Sequence, residues 1–145
     1  MSCVFKIDQG NLGYINLSDF AIMALSPLFS PPYAFLMAAS MTVASDLLLH
    51  HTRYLLITFV IKGLEGALAS LLTKKQVNYF VIVICCCTIV LLGYSFYDWY
   101  SLGSLAGFTT SLKYNGIQVV AAGGLACSLK PFIEKIRERY GSEVH

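Results

Sequence analysis

The sequence predicts an all-α integral membrane protein, a single domain over residues 1–145 built as a bundle of five transmembrane helices. Three observations lead there. The 145 residues are 57% hydrophobic and only 12% charged, against roughly 25% charged residues in soluble domains. The charges are clustered, so that residues 20–45, 76–97 and 114–129 carry none, and a helix needs roughly 20 apolar residues to cross the hydrocarbon. Polar punctuation falls between the apolar runs, at Pro31-Pro32, His50 to Arg53 and Lys74-Lys75. A soluble fold of this length leaves about a third of its unfolded surface in water and has no place for so much apolar area. The net charge of +2 is too small to argue for nucleic acid as a partner.

The first segment spans 17–29, with Ser18 or Asp19 as its N-cap and the proline pair as its stop. The second spans 32–49 and opens on a proline, whose missing N–H costs nothing there. The third spans 54–72 and ends at Lys74-Lys75. The fourth spans 77–97. Residues 98–114, rich in Gly, Ser and Thr, read as an irregular connection. The fifth spans 115–129, capped by Asn115, and leads into a charged tail at 130–145.

Basic residues set the orientation. Lys74, Lys75, Lys130, Lys135, Arg137 and Arg139 fall on one side of this layout, which the positive-inside rule places in the cytoplasm. Arg53 and Lys6 fall on the other. Tyr97, Trp99 and Tyr100 stand where an interfacial aromatic belt is expected. Met1 to Asn16 lacks the apolar run of a cleavable signal peptide. The expected location is the cell membrane, crossed several times.

The most informative residues are Lys62 and Glu65, in the middle of the third segment. On insertion scales each costs roughly 2.5–3.5 kcal/mol at the membrane centre. Three apart, they share one helix face and can neutralise each other. Charges inside a bilayer also mark solute pathways by default, and the two readings are compatible. Gln118 is an uncharged amide aimed into the bundle. It needs a hydrogen-bonding partner, which a ligand or another helix could supply. Small residues four apart recur, Ala34 and Ala38 among them, and fit either close internal packing or docking to another membrane subunit. The consecutive Cys85, Cys86 and Cys87 point in different directions on a helix and read as small buried apolar side chains. Asp46, His50 and His51 read as a polar helix end. No phosphate-binding glycine loop and no catalytic constellation occurs, so no enzyme activity, cofactor or metal is expected, and ATP coupling must come from a partner.

Three stretches, Gly13 to Asp19 (GYINLSD), Ala44 to Leu48 (ASDLL) and Ile61 to Gly66 (IKGLEG), occur in an order and spacing that resembles the substrate-binding S components of energy-coupling factor (ECF) vitamin transporters. The branch most resembled is the hydroxymethylpyrimidine and riboflavin type, and Tyr114 to Gln118 (YNGIQ) resembles the opening of that family's last helix. The resemblance implies a six-helix bundle, here without the family's first helix, so that the five segments match helices two to six. It also implies a vitamin or vitamin precursor as ligand, captured at the external face. Asn16, Lys62, Glu65, Asn115 and Gln118 would contact it, with Tyr94 and Tyr97 added by position, and Ala34 and Ala38 are the candidate docking pair. The implied partners are a transmembrane T subunit and two cytoplasmic ATPases.

Overall fold

Local chemistry decides where the helices begin and end. A computed structural model describes residues 18–48, 50 and 52–140. Among the described residues six α-helices follow one another: α1 (Ser18–Leu25), α2 (Pro31–Leu48), α3 (Leu55–Lys74), α4 (Tyr79–Leu102), α5 (Leu105–Ser128) and α6 (Lys130–Tyr140). A 3-10 turn, Ser26–Leu28, carries α1 toward the proline pair, and another, Thr52–Tyr54, leads into α3. Asn78 caps α4 by accepting a bond from the Phe80 N–H at 2.9 Å. Gly103 ends α4 in the left-handed conformation, φ 61°, returning its N–H to the Trp99 carbonyl. Ser104 then caps α5, its hydroxyl accepting from the Gly107 N–H at 3.2 Å.

Segments two and three fall within two residues of α2 and α3. The irregular connection predicted over 98–114 is not there: α4 runs on to Leu102, and α5 begins at Leu105. Ser and Thr are tolerated inside these helices because their hydroxyls return to the backbone, as Thr109 Oγ1 does to the Ala106 carbonyl at 3.1 Å. The predicted tail is also a helix of its own, α6, with Ile133 buried and Phe132 exposed.

The expected five full spans are only partly met among the described residues. Two helices are long and apolar enough to cross a membrane, Thr52–Lys74 and Tyr79–Leu102. Helices α2 and α5 have 18 and 24 residues, but α5 is diluted by Gly, Ser, Asn and Gln. Helix α1 and its 3-10 turn together reach roughly 16 Å at 1.5 Å per residue, about half of a hydrocarbon core of roughly 30 Å.

Successive helices α2 to α5 pack as neighbours, and α1 packs against both α3 and α5. Glycines set the closest approaches. A side chain at Gly66 would place its Cβ 2.6 Å from the Ala34 carbonyl oxygen, and one at Gly123 would come within 3.2 Å of Cys87 and Val83. Among the described residues two apolar clusters form the core. One joins Met23, Ala69, Ile82, Val83, Cys86, Ala122 and Ala126, and the other joins Ile61, Val90 and Val119.

The distribution of polarity is inverted relative to a soluble protein. Leu56 is 81% exposed, Val120 75% and Ile84 64%, while Lys62, Glu65 and Asp19 are among the largest fully buried side chains. Water penalises both halves of that arrangement. Hydrocarbon around the bundle favours the exposed apolar side chains.

Candidate functional site: a buried charge cluster beneath an aromatic column

Lys62 and Glu65 stand on the inward face of α3, one helical turn apart, with Lys62 Nζ 3.2 Å from Glu65 Oε2. The expected local pair is therefore formed. Sequence reasoning missed its third member, Asp19, whose Oδ1 takes a bond from Lys62 Nζ. Asp19, one of the two candidate caps in the sequence, lies in the first turn of α1, 1% exposed. Its other oxygen, Oδ2, accepts from Gln118 Nε2 on α5 at 2.8 Å. The partner left open for Gln118 is thus another helix. Three helices meet at this carboxylate: α1 supplies the acceptor, α3 the ammonium and α5 the amide. The remaining Glu65 oxygen, Oε1, is buried without a hydrogen-bond partner.

An aromatic column leads from the cluster toward the α4–α5 turn. Lys62 Nζ lies 5.7 Å from the centre of the Tyr94 ring, within cation–π range. The Tyr94 hydroxyl donates to Thr58 Oγ1 at 3.1 Å. Tyr54 stands edge-on to both Tyr94 and Tyr97, with ring centres 6.4 and 5.6 Å apart. At the outer end the Tyr54 hydroxyl donates to Asp98 Oδ1 at 2.9 Å, Arg53 Nη2 to Ser101 Oγ at 2.6 Å, and the Tyr97 hydroxyl to the Arg53 carbonyl at 3.1 Å. These bonds tie the chain entering α3 to the last turns of α4. Replacing Tyr54 by Phe leaves the nearly buried Asp98 carboxyl without that donor and is expected to cost about 1–2 kcal/mol. Thermal unfolding in detergent reads this, with Tyr97→Phe, whose bond is solvent-exposed, as the milder comparison.

The structure therefore brings Lys62, Glu65 and Gln118 into one cluster, with Tyr94 beside it and Tyr97 further out. It does not place Asn115 at a helix start. That residue lies ten positions inside α5, and its amide donates to the Ser111 carbonyl and hydroxyl at 3.0 and 2.8 Å. The capping role expected for Asn115 is replaced by this local bond, since α5 begins at Leu105 under the Ser104 cap. Asn16 lies outside the described residues. Ala34 and Ala38 are fully buried against Gly66, so the expected docking pair serves the α2–α3 contact and is closed to an outside subunit. Asp46 is buried and His50 exposed, while His51 lies outside the described residues. The Cys86 thiol donates to the Glu65 carbonyl at 3.7 Å and that of Cys87 to the Val119 carbonyl at 3.5 Å, which accounts for two of the three consecutive cysteines as packing groups. Trp99 and Tyr100, with Phe96 and Gly103, line an open recess of about 470 Å³ at the end of α4.

An ion cluster sealed inside helices whose outer faces are apolar fits a helical membrane protein. The sequence matches, over residues 1–133, the family described as ECF-type riboflavin transporter, S component, and the chain belongs to that family. It is accordingly a membrane-embedded substrate-specificity subunit of an ECF transporter, a class of transport proteins and not of enzymes. Neither the curated proteins nor the solved structures compared with the chain gave a match.

Proposed function

We propose that the chain captures a vitamin of the riboflavin type at the external face of the cell membrane and hands it inward through an ATP-driven partner complex. The observation that carries this reading is the placement of Lys62, Gln118 and Glu65 from two long helices around one point inside the bundle. Tyr94 supplies an aromatic face there, and the Tyr54–Tyr97 column leads outward. A charge cluster of this kind costs stability in lipid, and solute recognition supplies a reason to keep it.

Lys74, Lys75 and Lys130 mark the end of the bundle opposite Arg53. The positive-inside rule puts that end, together with α6, in the cytoplasm and leaves the aromatic column facing outside. A transmembrane T subunit and two cytoplasmic ATPases are the partners that the family implies. Asn115, half-buried on the same helix as Gln118, and Asn16 are further candidate contacts.

A titration of the purified protein with riboflavin, followed by quenching of flavin fluorescence, tests the site. Removing a charged hydrogen-bond donor costs about 1.5–3 kcal/mol, so Lys62→Ala is expected to weaken binding at least tenfold. Lys74→Ala, at the exposed end of α3, is expected to leave it within twofold. Equal and small effects contradict the pocket. A second reading, a structural membrane protein without a ligand, draws support from the internal satisfaction of Lys62 and Gln118 by Asp19. Native mass spectrometry separates the two, because a co-purifying small molecule supports capture.

A further inference from the structure

We infer that Asp19 is an internal stand-in for the solute: its carboxylate occupies the Lys62 ammonium and the Gln118 amide until a ligand carrying a cyclic imide edge, an N–H flanked by two carbonyls, displaces it. The inference rests on the vitamin-capture reading for the site and adds the chemistry of the exchange.

The geometry carries the argument. Each oxygen of Asp19 takes one donor, Oδ1 from Lys62 and Oδ2 from Gln118, so one carboxylate takes a bond from each of the two donor groups that α3 and α5 direct to this point. Lys62 does not depend on Asp19 alone, because Glu65 Oε2 remains 3.2 Å away. One ammonium faces two carboxyls, and either can leave without stranding it. Departure of Glu65 would drag on α3 itself. Asp19 sits instead in the first turn of α1, which among the described residues spans eight positions and can shift with fewer packed side chains than a full span.

A third group selects the ligand class. Glu65 Oε1 is fully buried and lacks a donor, a state that costs about 1–3 kcal/mol or more for a charged group. With Asp19 gone, the site offers two donors and one unused acceptor. A planar ring presenting carbonyl, N–H and carbonyl in sequence answers all three, with its face toward Tyr94. The flavin ring carries such an edge, as do uracil-type rings. A simple carboxylate replaces Asp19 but leaves Glu65 Oε1 unanswered.

The test compares riboflavin, 3-methylriboflavin (which lacks the imide N–H), uracil and benzoate on the wild-type protein and on Asp19→Asn, with size-exclusion profiles confirming intact folding. Neutralising Asp19 weakens its hold on Lys62, since charge-assisted bonds are about twice as strong as neutral ones. Asp19→Asn should therefore bind riboflavin at least fivefold more tightly than wild type, and the 3-methyl compound should bind wild type at least tenfold more weakly than riboflavin. Riboflavin binding that is unchanged or weaker in Asp19→Asn, or indifferent to 3-methylation, overturns the exchange while leaving vitamin capture in place. The methylation arm reads the wild-type protein alone, so it decides the matter even where the variant does not fold. Uracil bound without riboflavin, and more tightly by Asp19→Asn, upholds the exchange and overturns the riboflavin reading. Benzoate bound as well as the imides overturns the ligand class, and no binding of any of the four overturns both proposals.

Discussion

Lys62→Met is expected to lower the stability of the folded bundle by about 3–5 kcal/mol, the range found when one partner of a buried ion pair is removed. The substitution keeps nearly the same side-chain volume and takes away only the ammonium. Asp19 and Glu65 are then two carboxyls facing each other inside the bundle, with Gln118, among the described residues, still donating to Asp19. Neutralising them in the triple substitution Lys62→Met, Asp19→Asn, Glu65→Gln is expected to restore most of the loss, because the penalty lies in uncompensated charge and not in missing volume. Thermal unfolding in detergent micelles gives both values. A Lys62→Met protein that melts with wild type means that the cluster contributes nothing to holding α1, α3 and α5 together.

The second large effect belongs to the α2–α3 contact. At Gly66 an added Cβ would lie 2.6 Å from the Ala34 carbonyl oxygen and 2.7 Å from the Ala38 Cβ. Neither neighbour can swing aside, since one is backbone and the other has no torsion to turn. Gly66→Ala must therefore move the helices apart, at about 1–3 kcal/mol as for other overpacked cores. Gly63 offers a useful contrast. Its added Cβ would meet the ring of Phe35 at 2.5 Å, and a half-buried ring can rotate away, losing its edge contact with Phe59. Gly63→Ala should cost less than Gly66→Ala. Gly124 faces open space, and there alanine gains up to about 1 kcal/mol of helix propensity. Melting temperatures of the three variants should rank accordingly, and a Gly66→Ala protein as stable as Gly124→Ala would mean that α2 and α3 are not tightly seated.

The parts of this protein legible in its sequence are those fixed by neighbours along the chain. Proline at 31 and 32 and the lysine pair at 74 and 75 bracket α2 and α3 because each acts on its own backbone. Lys62 and Glu65 are three apart, so a single helix turn makes them partners whatever the rest of the bundle does. The link between α4 and α5 is illegible in the sequence for the opposite reason. Ser, Thr and Gly from 101 to 111 have weak helix propensity, but packing overrides it: an added Cβ at Gly107 would lie 2.8 Å from Leu102 and 3.1 Å from the Asp98 carbonyl. The true boundary was marked only by Gly103 followed by Ser104, a helix stop directly before a helix cap. The key member of the site was out of reach altogether. Asp19 meets Lys62 across 43 positions and Gln118 across 99, and no periodicity joins residues that far apart. The missing acceptor for Gln118 was the one hint that a further group belonged there.

The brevity of the Gly103-Ser104 link has a consequence for depth and rotation. With two residues between helices of 24 residues each, the hairpin has no slack, and every rung of α5 is counted off from the bend: Gly116 falls opposite Leu91, and Val119 opposite Cys87. One added or deleted residue between the bend and Gln118 turns the rest of α5 by about 100°, enough to swing the amide off the axis of the bundle toward the acyl chains. Length changes in that stretch that keep Gln118 inward come in steps close to a full turn, so the hairpin works as a ruler with a fixed zero.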